Sequence, residues 1–232
     1  MEELPNLDLV VKNLTKKSKS ILVNKNIPQI PFNMCIYGKS SSGKSNIILN
    51  LLEYYKKWFG NRLMIFTLSR DNSLYDLEKS YGAILFNNIE NEKNENLIMK
   101  LINYQKEQKK SGNKLKQYLL LFDDFILSDS FNKKRGIYDL LYSQARHYSI
   151  SVITTSQQVT LLPSSIRRMS WYDICFKISN TSEKKIYIYE NCNAINKSET
   201  EFEEIFESST EEPFSFLYLN KIQNTYSKRF GI

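Results

Sequence analysis

The chain has 232 residues, 41% hydrophobic and 25% charged, a composition that fits one compact globular domain and excludes a disordered, collagen-like or coiled-coil chain. Its 32 Lys and Arg against 25 Asp and Glu give a formal charge of +7, which favours a polyanionic partner, nucleic acid among them. One histidine, His147, and three scattered cysteines, Cys35, Cys175 and Cys192, supply neither a zinc site of paired cysteines and histidines nor a disulfide framework, so a reducing compartment is expected.

The opening MEELPNLDLVVKNLTKK is acidic at first and lacks the basic start and apolar run of a secretory signal. No segment reaches the roughly 18 to 20 apolar residues of a bilayer span, so neither export nor a membrane span is expected, while peripheral attachment stays open. Residues 1–31 carry Lys12, Lys16, Lys17 and Lys19 and read as a basic lead-in bounded by Pro28 and Pro31. FNMCIYG predicts a first strand, and NIILNLLEYYKKWFG a helix, with Ile48, Leu51, Leu52 and Tyr55 at helical spacing and Gly60 as its stop. RLMIFTL predicts a second strand, and residues 92–114 an amphipathic helix with Leu97, Leu101 and Tyr104 on one face. YLLLFDDF is the most hydrophobic strand; KKRGIYDLLYSQARHY then reads as a helix, SISVITTSQQ as a fourth strand and WYDICFKI as a fifth. Strands that are apolar throughout and alternate with helices predict a mainly parallel sheet covered on both faces, hence a three-layer α/β domain over residues 32–195. Residues 196–232 read as a short C-terminal β extension. Within it SETEFEEIFESSTEE has no Lys or Arg and reads as a solvated helix face rather than a regulatory or partner-binding segment, and PFSFLYLNKIQNTYSKRF alternates enough for a strand or hairpin.

The chemistry concentrates in GKSSSGKS, Gly38 to Ser45, which satisfies G-x-x-x-x-G-K-[ST] between a predicted strand and a predicted helix. Gly38 and Gly43 let the backbone turn and approach phosphate oxygens, and the amides of Lys39, Ser40, Ser41, Ser42 and the helix start face negative charge. Lys44 is expected to reach the β and γ phosphates, and the Ser45 hydroxyl to ligate a Mg²⁺ bound to them. ATP and Mg²⁺ are therefore the expected cofactors. A second magnesium-holding group is needed at the end of a neighbouring strand, and LLLFDD puts Asp123 there. Asp124, one residue on, is placed to orient or deprotonate the water that attacks the γ-phosphate. Gln157 follows SVITTS and should emerge at the same C-terminal sheet edge. Arg146, before that strand, should lie near the opposite edge, away from its own phosphate site. His147 reads as a packing or positioning residue.

Taken in order, GKSSSGKS, LLLFDDF, QARHYSISVITTSQQ and LPSSIRRMSWYDICF, over about residues 32–178, resemble the FtsK-HerA superfamily of ring-forming DNA pumps. The likeness is strongest to the viral genome-packaging ATPases of poxviruses, giant viruses and virophages. That resemblance implies a RecA-like P-loop NTPase core and ATP-driven translocation of double-stranded DNA into a preformed capsid. It implies a homo-oligomeric ring, pentamer or hexamer, a capsid or portal-vertex protein as docking partner, and the host cytoplasm or a viral factory as its place. In the same way it implies that Gln157 senses the γ-phosphate and that Arg146 is supplied in trans to the neighbouring subunit's nucleotide. Met169 stands where many relatives carry Asn, which leaves the part played by Arg167 and Arg168 open.

Candidate DNA contacts are the basic stretches KEQKKSGNKLK, with Lys106, Lys109, Lys110, Lys114 and Lys116, and NKKRG, with Lys133, Lys134 and Arg135; a solvated surface explains each as well. The alternative function is a P-loop nucleoside or nucleotide kinase or other phosphotransferase, but no arginine-rich lid sequence accompanies the loop. A GTPase lacks its guanine-reading NKxD string here, and the intact Asp pair speaks against an interaction protein that merely retains ATP.

Overall fold

Each apolar run becomes a strand because its side chains have partners on both faces. The computed structural model describes residues 9–11, 21–23, 27–67, 82–86, 91–124 and 136–230. Strands β1 (Leu9–Val11) and β2 (Ile21–Val23) pair antiparallel as a separate ribbon; Lys12, Lys16, Lys17 and Lys19 lie outside the described residues. The core then runs β3 (Asn33–Tyr37), α1 (Lys44–Phe59), β4 (Leu63–Thr67), β5 (Ile84–Phe86), α2 (Asn91–Lys110) and β6 (Tyr118–Asp123). It continues through α3 (Ile137–Gln144), a 3₁₀ turn (Ala145–Tyr148), β7 (Ile150–Ser156), α4 (Ser164–Met169), β8 (Tyr172–Phe176), α5 (Thr181–Asn191), α6 (Glu199–Thr210), β9 (Phe216–Asn220) and β10 (Thr225–Lys228).

Eight of these strands form one sheet in the order β10-β9-β8-β3-β7-β6-β4-β5. The six from β8 to β5 are parallel, and β9 and β10 add antiparallel to β8. The expected three-layer α/β fold with a mainly parallel sheet is what forms. On one face α1 packs Ile48, Leu51 and Tyr55 against Ile36, Ile65, Leu121 and Ile174. On the other, α2, α3, α5 and α6 bring Ile98, Leu141, Tyr187 and Phe206 against Phe66, Leu120, Val152 and Cys175. This two-sided burial is why the strands read as continuous rather than alternating apolar runs.

The C-terminal segment is built into that sheet. In α6 the glutamates 199, 201, 203, 204 and 207 face solvent, as a solvated face requires, while Phe202 and Phe206 are fully buried, a contribution of about 1.5–3 kcal/mol each. Ser198 caps the helix, its hydroxyl accepting from the Glu201 amide while the Glu201 carboxylate accepts from the Ser198 amide. The hairpin continues the sheet, Phe216 standing opposite Phe176 in the β8–β9 register. Strand β5 and helices α4 and α5 were not anticipated by periodicity; β5 and α4 have only three and six residues, too short to show a period.

Candidate nucleotide site

The G-x-x-x-x-G-K-S loop joins β3 to α1 at the C-terminal edge of the parallel strands, beside the point where the sheet order reverses around β3, which is where open α/β sheets bind ligands. The Gly38 amide donates to the Ser156 carbonyl at 3.0 Å, tying the loop to the end of β7. A Cβ at Gly38 would stand 2.5 Å from Ser42 Oγ and 3.0 Å from Phe176, so a larger residue there would force both neighbours to shift. Gly43 turns the chain into α1 at φ +110, a conformation that disfavours any side chain, and Ser41 is also left-handed at φ 61. Lys39, Ser40 and Ser41 are exposed at the rim, and Ser42, Gly43 and Ser45 are half-buried. The Ser42 Oγ atom is itself buried and has no hydrogen-bond partner among the described residues, so the loop holds a hydroxyl donor in reserve.

Lys44 folds back into the loop, its Nζ donating to the carbonyls of Gly38 at 2.6 Å and Lys39 at 3.2 Å. Burial pushes the Lys44 ammonium below the ordinary lysine range, and the negative charges of Asp124 and Asp123 pull it part of the way back. A phosphate in the loop would favour the charged form further, so this lysine has more to gain from an anion than a solvated one.

The acidic pair sits across from it. Asp123 closes β6 and is 7% exposed; Asp124 follows in the left-handed region at φ 46, where the extended run of the strand ends. One buried hydroxyl links the two: Thr155 Oγ1 donates to Asp123 Oδ1 at 2.8 Å and accepts from the Asp124 amide at 3.0 Å. Gln157 Nε2 then donates to Asp124 Oδ2 at 2.9 Å. Three of the residues singled out from the sequence, Asp123, Asp124 and Gln157, thus meet in one hydrogen-bonded chain. Thr155 is the member sequence reasoning missed. The signal was a polar residue in a strand whose seven positions are all buried, since a buried hydroxyl demands a partner. The donor set, the Asp123 carboxylate oriented by the Thr155 hydroxyl with the Ser45 hydroxyl at the loop's end, suits a hard divalent cation such as Mg²⁺.

Arg146 is not brought to this loop. It lies in the 3₁₀ turn before β7, exposed, with its guanidinium carbon 4.7 Å from the centre of the Trp171 ring. Strand β7 runs from Ile150 beside it to Ser156 at the loop, about 20 Å at strand rise. His147 is exposed beside it, and its carbonyl accepts from Lys109 Nζ at 3.1 Å; Lys106 and Lys109 stand 5.4 and 5.9 Å from the Tyr148 ring. The basic stretch at the end of α2 therefore shares this N-terminal sheet edge with Arg146, whereas Lys133, Lys134 and Arg135 lie outside the described residues. Arg167 makes a two-pronged pair with Glu190 at 2.7 and 2.6 Å and also donates to the Leu162 carbonyl, tying α4 to α5. Arg168 is exposed.

A cavity of about 200 Å³ adjoins the loop on the α5 side, lined by Tyr37, Gly38, Gln157, Lys177 and Asn180 among others. A larger groove of about 680 Å³ between α5 and α6 contains none of the candidate site residues.

The sequence matches the family model described as Poxvirus A32 protein over residues 20–222. No curated protein matches it. Among solved structures it is similar to the genome packaging NTPase B204 from Sulfolobus turreted icosahedral virus 2 in complex with AMPPCP, at TM-score 0.63 and 17% identity over 88% of this chain and 100% of that one. B204 from Sulfolobus turreted icosahedral virus, described as a DNA-packaging ATPase, matches at 0.63 and 18% with the same coverage. ATPases 2 and 3 of EssC from Geobacillus thermodenitrificans match at 0.64 and 13% over 98% of this chain and 44% of that one. At these identities the structural likeness establishes a common fold.

Proposed function

The chain belongs to the poxvirus A32 protein family, and on that footing we propose that it is a viral genome-packaging ATPase, which hydrolyses ATP to drive double-stranded DNA into a preformed capsid. The observation that carries this reading is the convergence of Lys44, Asp123, Asp124 and Gln157 on one sheet edge, linked through Thr155 and charge-coupled to the loop lysine. The loop amides from Lys39 to Ser45 and the Lys44 ammonium bind the phosphates. Asp123 and the Ser45 hydroxyl would hold Mg²⁺, whose charge would offset that of the nucleotide phosphates. Asp124 orients the attacking water and accepts its proton. Gln157 bonds to the same carboxylate, so loss of the γ-phosphate can be felt at the end of β7 and passed along that strand.

Arg146 completes the reading at the opposite edge. An exposed arginine about a strand's length from its own loop suits service to the nucleotide of an adjacent protomer, which makes hydrolysis depend on assembly into a homo-oligomeric ring. The basic residues beside it are the candidate contacts for DNA phosphates. In this reading residues 32–195 are the ATPase core, 1–31 the basic lead-in and 196–232 an extension woven into the core sheet. The protein works in the host cytoplasm or viral factory and docks on a capsid or portal-vertex protein.

An ATPase assay with and without long duplex DNA, run beside a mass measurement of the assembly, tests this. DNA should stimulate hydrolysis in a salt-sensitive way. Lys44→Ala should weaken nucleotide binding and turnover together, and Asp124→Asn should spare binding while cutting turnover by about 10²–10⁴. Equal hydrolysis by Asp124→Asn and wild type, or phosphate transfer to a nucleoside acceptor in place of hydrolysis, would sink the proposal.

A further inference from the structure

The segment between α6 and β9 contains a residue in an unfavourable place twice over. Phe214 is 69% exposed and lies in the left-handed region at φ 61. Its turn is tight: both the Ser215 amide, at 3.1 Å, and the Ser215 hydroxyl, at 2.7 Å, donate to the Glu212 carbonyl. Pro213 and Phe214 occupy the two central positions. Proline first and a positive φ second is the signature of a type II turn, whose second central position ordinarily takes Gly or Asn. An aromatic side chain there bears backbone strain and water exposure together, and strain held by an over-determined surrounding is a marker of function.

The surroundings are over-determined. Glu212 is clamped by Lys228 at 2.9 Å and Arg229 at 3.5 Å from the β10 end of the hairpin. Ser215 and Phe216 on the far side of the turn are buried. The Phe216 ring packs 5.4 Å from Phe176 and 5.3 Å from Phe230. The turn therefore presents Phe214 from a fixed base, and what it presents it to is the phosphate loop. A Cβ built on Gly43 would lie 3.6 Å from Phe214 Cδ1 and 3.4 Å from Phe176 Cε1. Phe176 thus floors the loop from below, while Phe214 stands exposed beside the residue at which α1 begins.

We infer that Phe214 is the stacking platform for the base of the bound nucleotide: with the phosphates on the loop amides, the exposed ring next to Gly43 takes the flat face of the purine. This rests on the phosphate-loop reading above and adds to it the residue that recognises the other end of the ligand. Stacking on a ring accepts any base and favours the larger purines, because the contact is with a π-face and not with an edge.

The test is a calorimetric comparison of magnesium ATP and magnesium tripolyphosphate binding to the full chain as wild type, Phe214→Ala, Phe214→Trp and Phe214→Gly. Phe214→Ala should weaken ATP binding about tenfold and leave tripolyphosphate binding as it is, while Phe214→Trp keeps the ATP affinity. Phe214→Gly should weaken ATP to the same degree and raise the melting temperature by about 2–4 °C, since it removes the left-handed strain; this opposite movement separates a ligand contact from a structural one. Unchanged ATP affinity in Phe214→Ala overturns the inference. So does an equal loss for ATP and tripolyphosphate, or a change confined to assembly mass, which would make the ring a subunit contact. Failure of wild type to bind either ligand is a different result, and it overturns the phosphate-loop reading itself.

Discussion

The two edges of the parallel sheet are held in contrasting ways. At the C-terminal edge the candidate groups are fastened to one another: Lys44 to the Gly38 and Lys39 carbonyls, Thr155 to Asp123 and the Asp124 amide, Gln157 to Asp124. At the N-terminal edge the Arg146 guanidinium lies over the Trp171 ring, the Lys106 and Lys109 ammonium groups lie over the Tyr148 ring, and Lys109 alone also donates to a backbone carbonyl, that of His147. A site that must stabilise developing charge profits from groups already oriented, because no reorganisation is then needed during reaction. A surface that meets another subunit or a nucleic acid backbone is completed by the partner, and ring faces leave its cations free to turn. The difference in fastening is what the proposed division requires, a ligand site within the chain at one edge and surfaces offered to other molecules at the other.

Removing the arginine puts the greatest stress on this contrast. In assembled protein Arg146→Ala should lower turnover by about 10³–10⁵ with ATP binding intact, and mixing it with Lys44→Ala protein should restore part of the rate, since each variant supplies what the other lacks. Mixed assemblies verified by mass that recover nothing would show that the N-terminal edge serves no neighbouring site. The fastening of the other edge is tested by Thr155→Val, which keeps the shape and removes both hydrogen bonds. The Mg²⁺ concentration for half-maximal activity should rise about 10- to 100-fold, with a stability loss of about 1–3 kcal/mol in thermal unfolding, and Thr155→Ser should restore the metal response. An unaltered Mg²⁺ requirement in Thr155→Val would mean that orienting Asp123 contributes nothing. Smallest is the effect of Lys109→Gln or Lys110→Gln on DNA binding: each should flatten the dependence of log affinity on log salt by about one unit. A salt slope identical to wild type removes that residue from the DNA surface.

How far these arrangements could be read in advance depends on their range. The loop from Gly38 to Ser45, the helix after it and the acidic end of β6 were legible because their constraints act over a few residues: glycine where a Cβ would collide with Ser42, a lysine that can reach back to the loop's own carbonyls, apolar periodicity that ends at Gly60. Thr155 was not, because its partners are 31 and 32 residues away and only the parallel β6–β7 register makes them neighbours. The acidic segment around α6 was legible on its solvated side alone; that Phe202 and Phe206 sink into the core follows from where the sheet's second face lies.

The amino-acid string alone thus determines a glycine-rich turn of the phosphate-loop pattern between a buried strand and a helix, and a layered α/β domain around it, since steric freedom, hydrophobic period and backbone hydrogen bonding are local properties. The assembled chain decides which distant groups share an edge. Pairing of β6 with β7 brings the carboxylates to Thr155 and Gln157, and addition of β9 to β8 carries Phe214 to Gly43. Strand register is settled by the summed packing of whole faces, so no short window of sequence contains it.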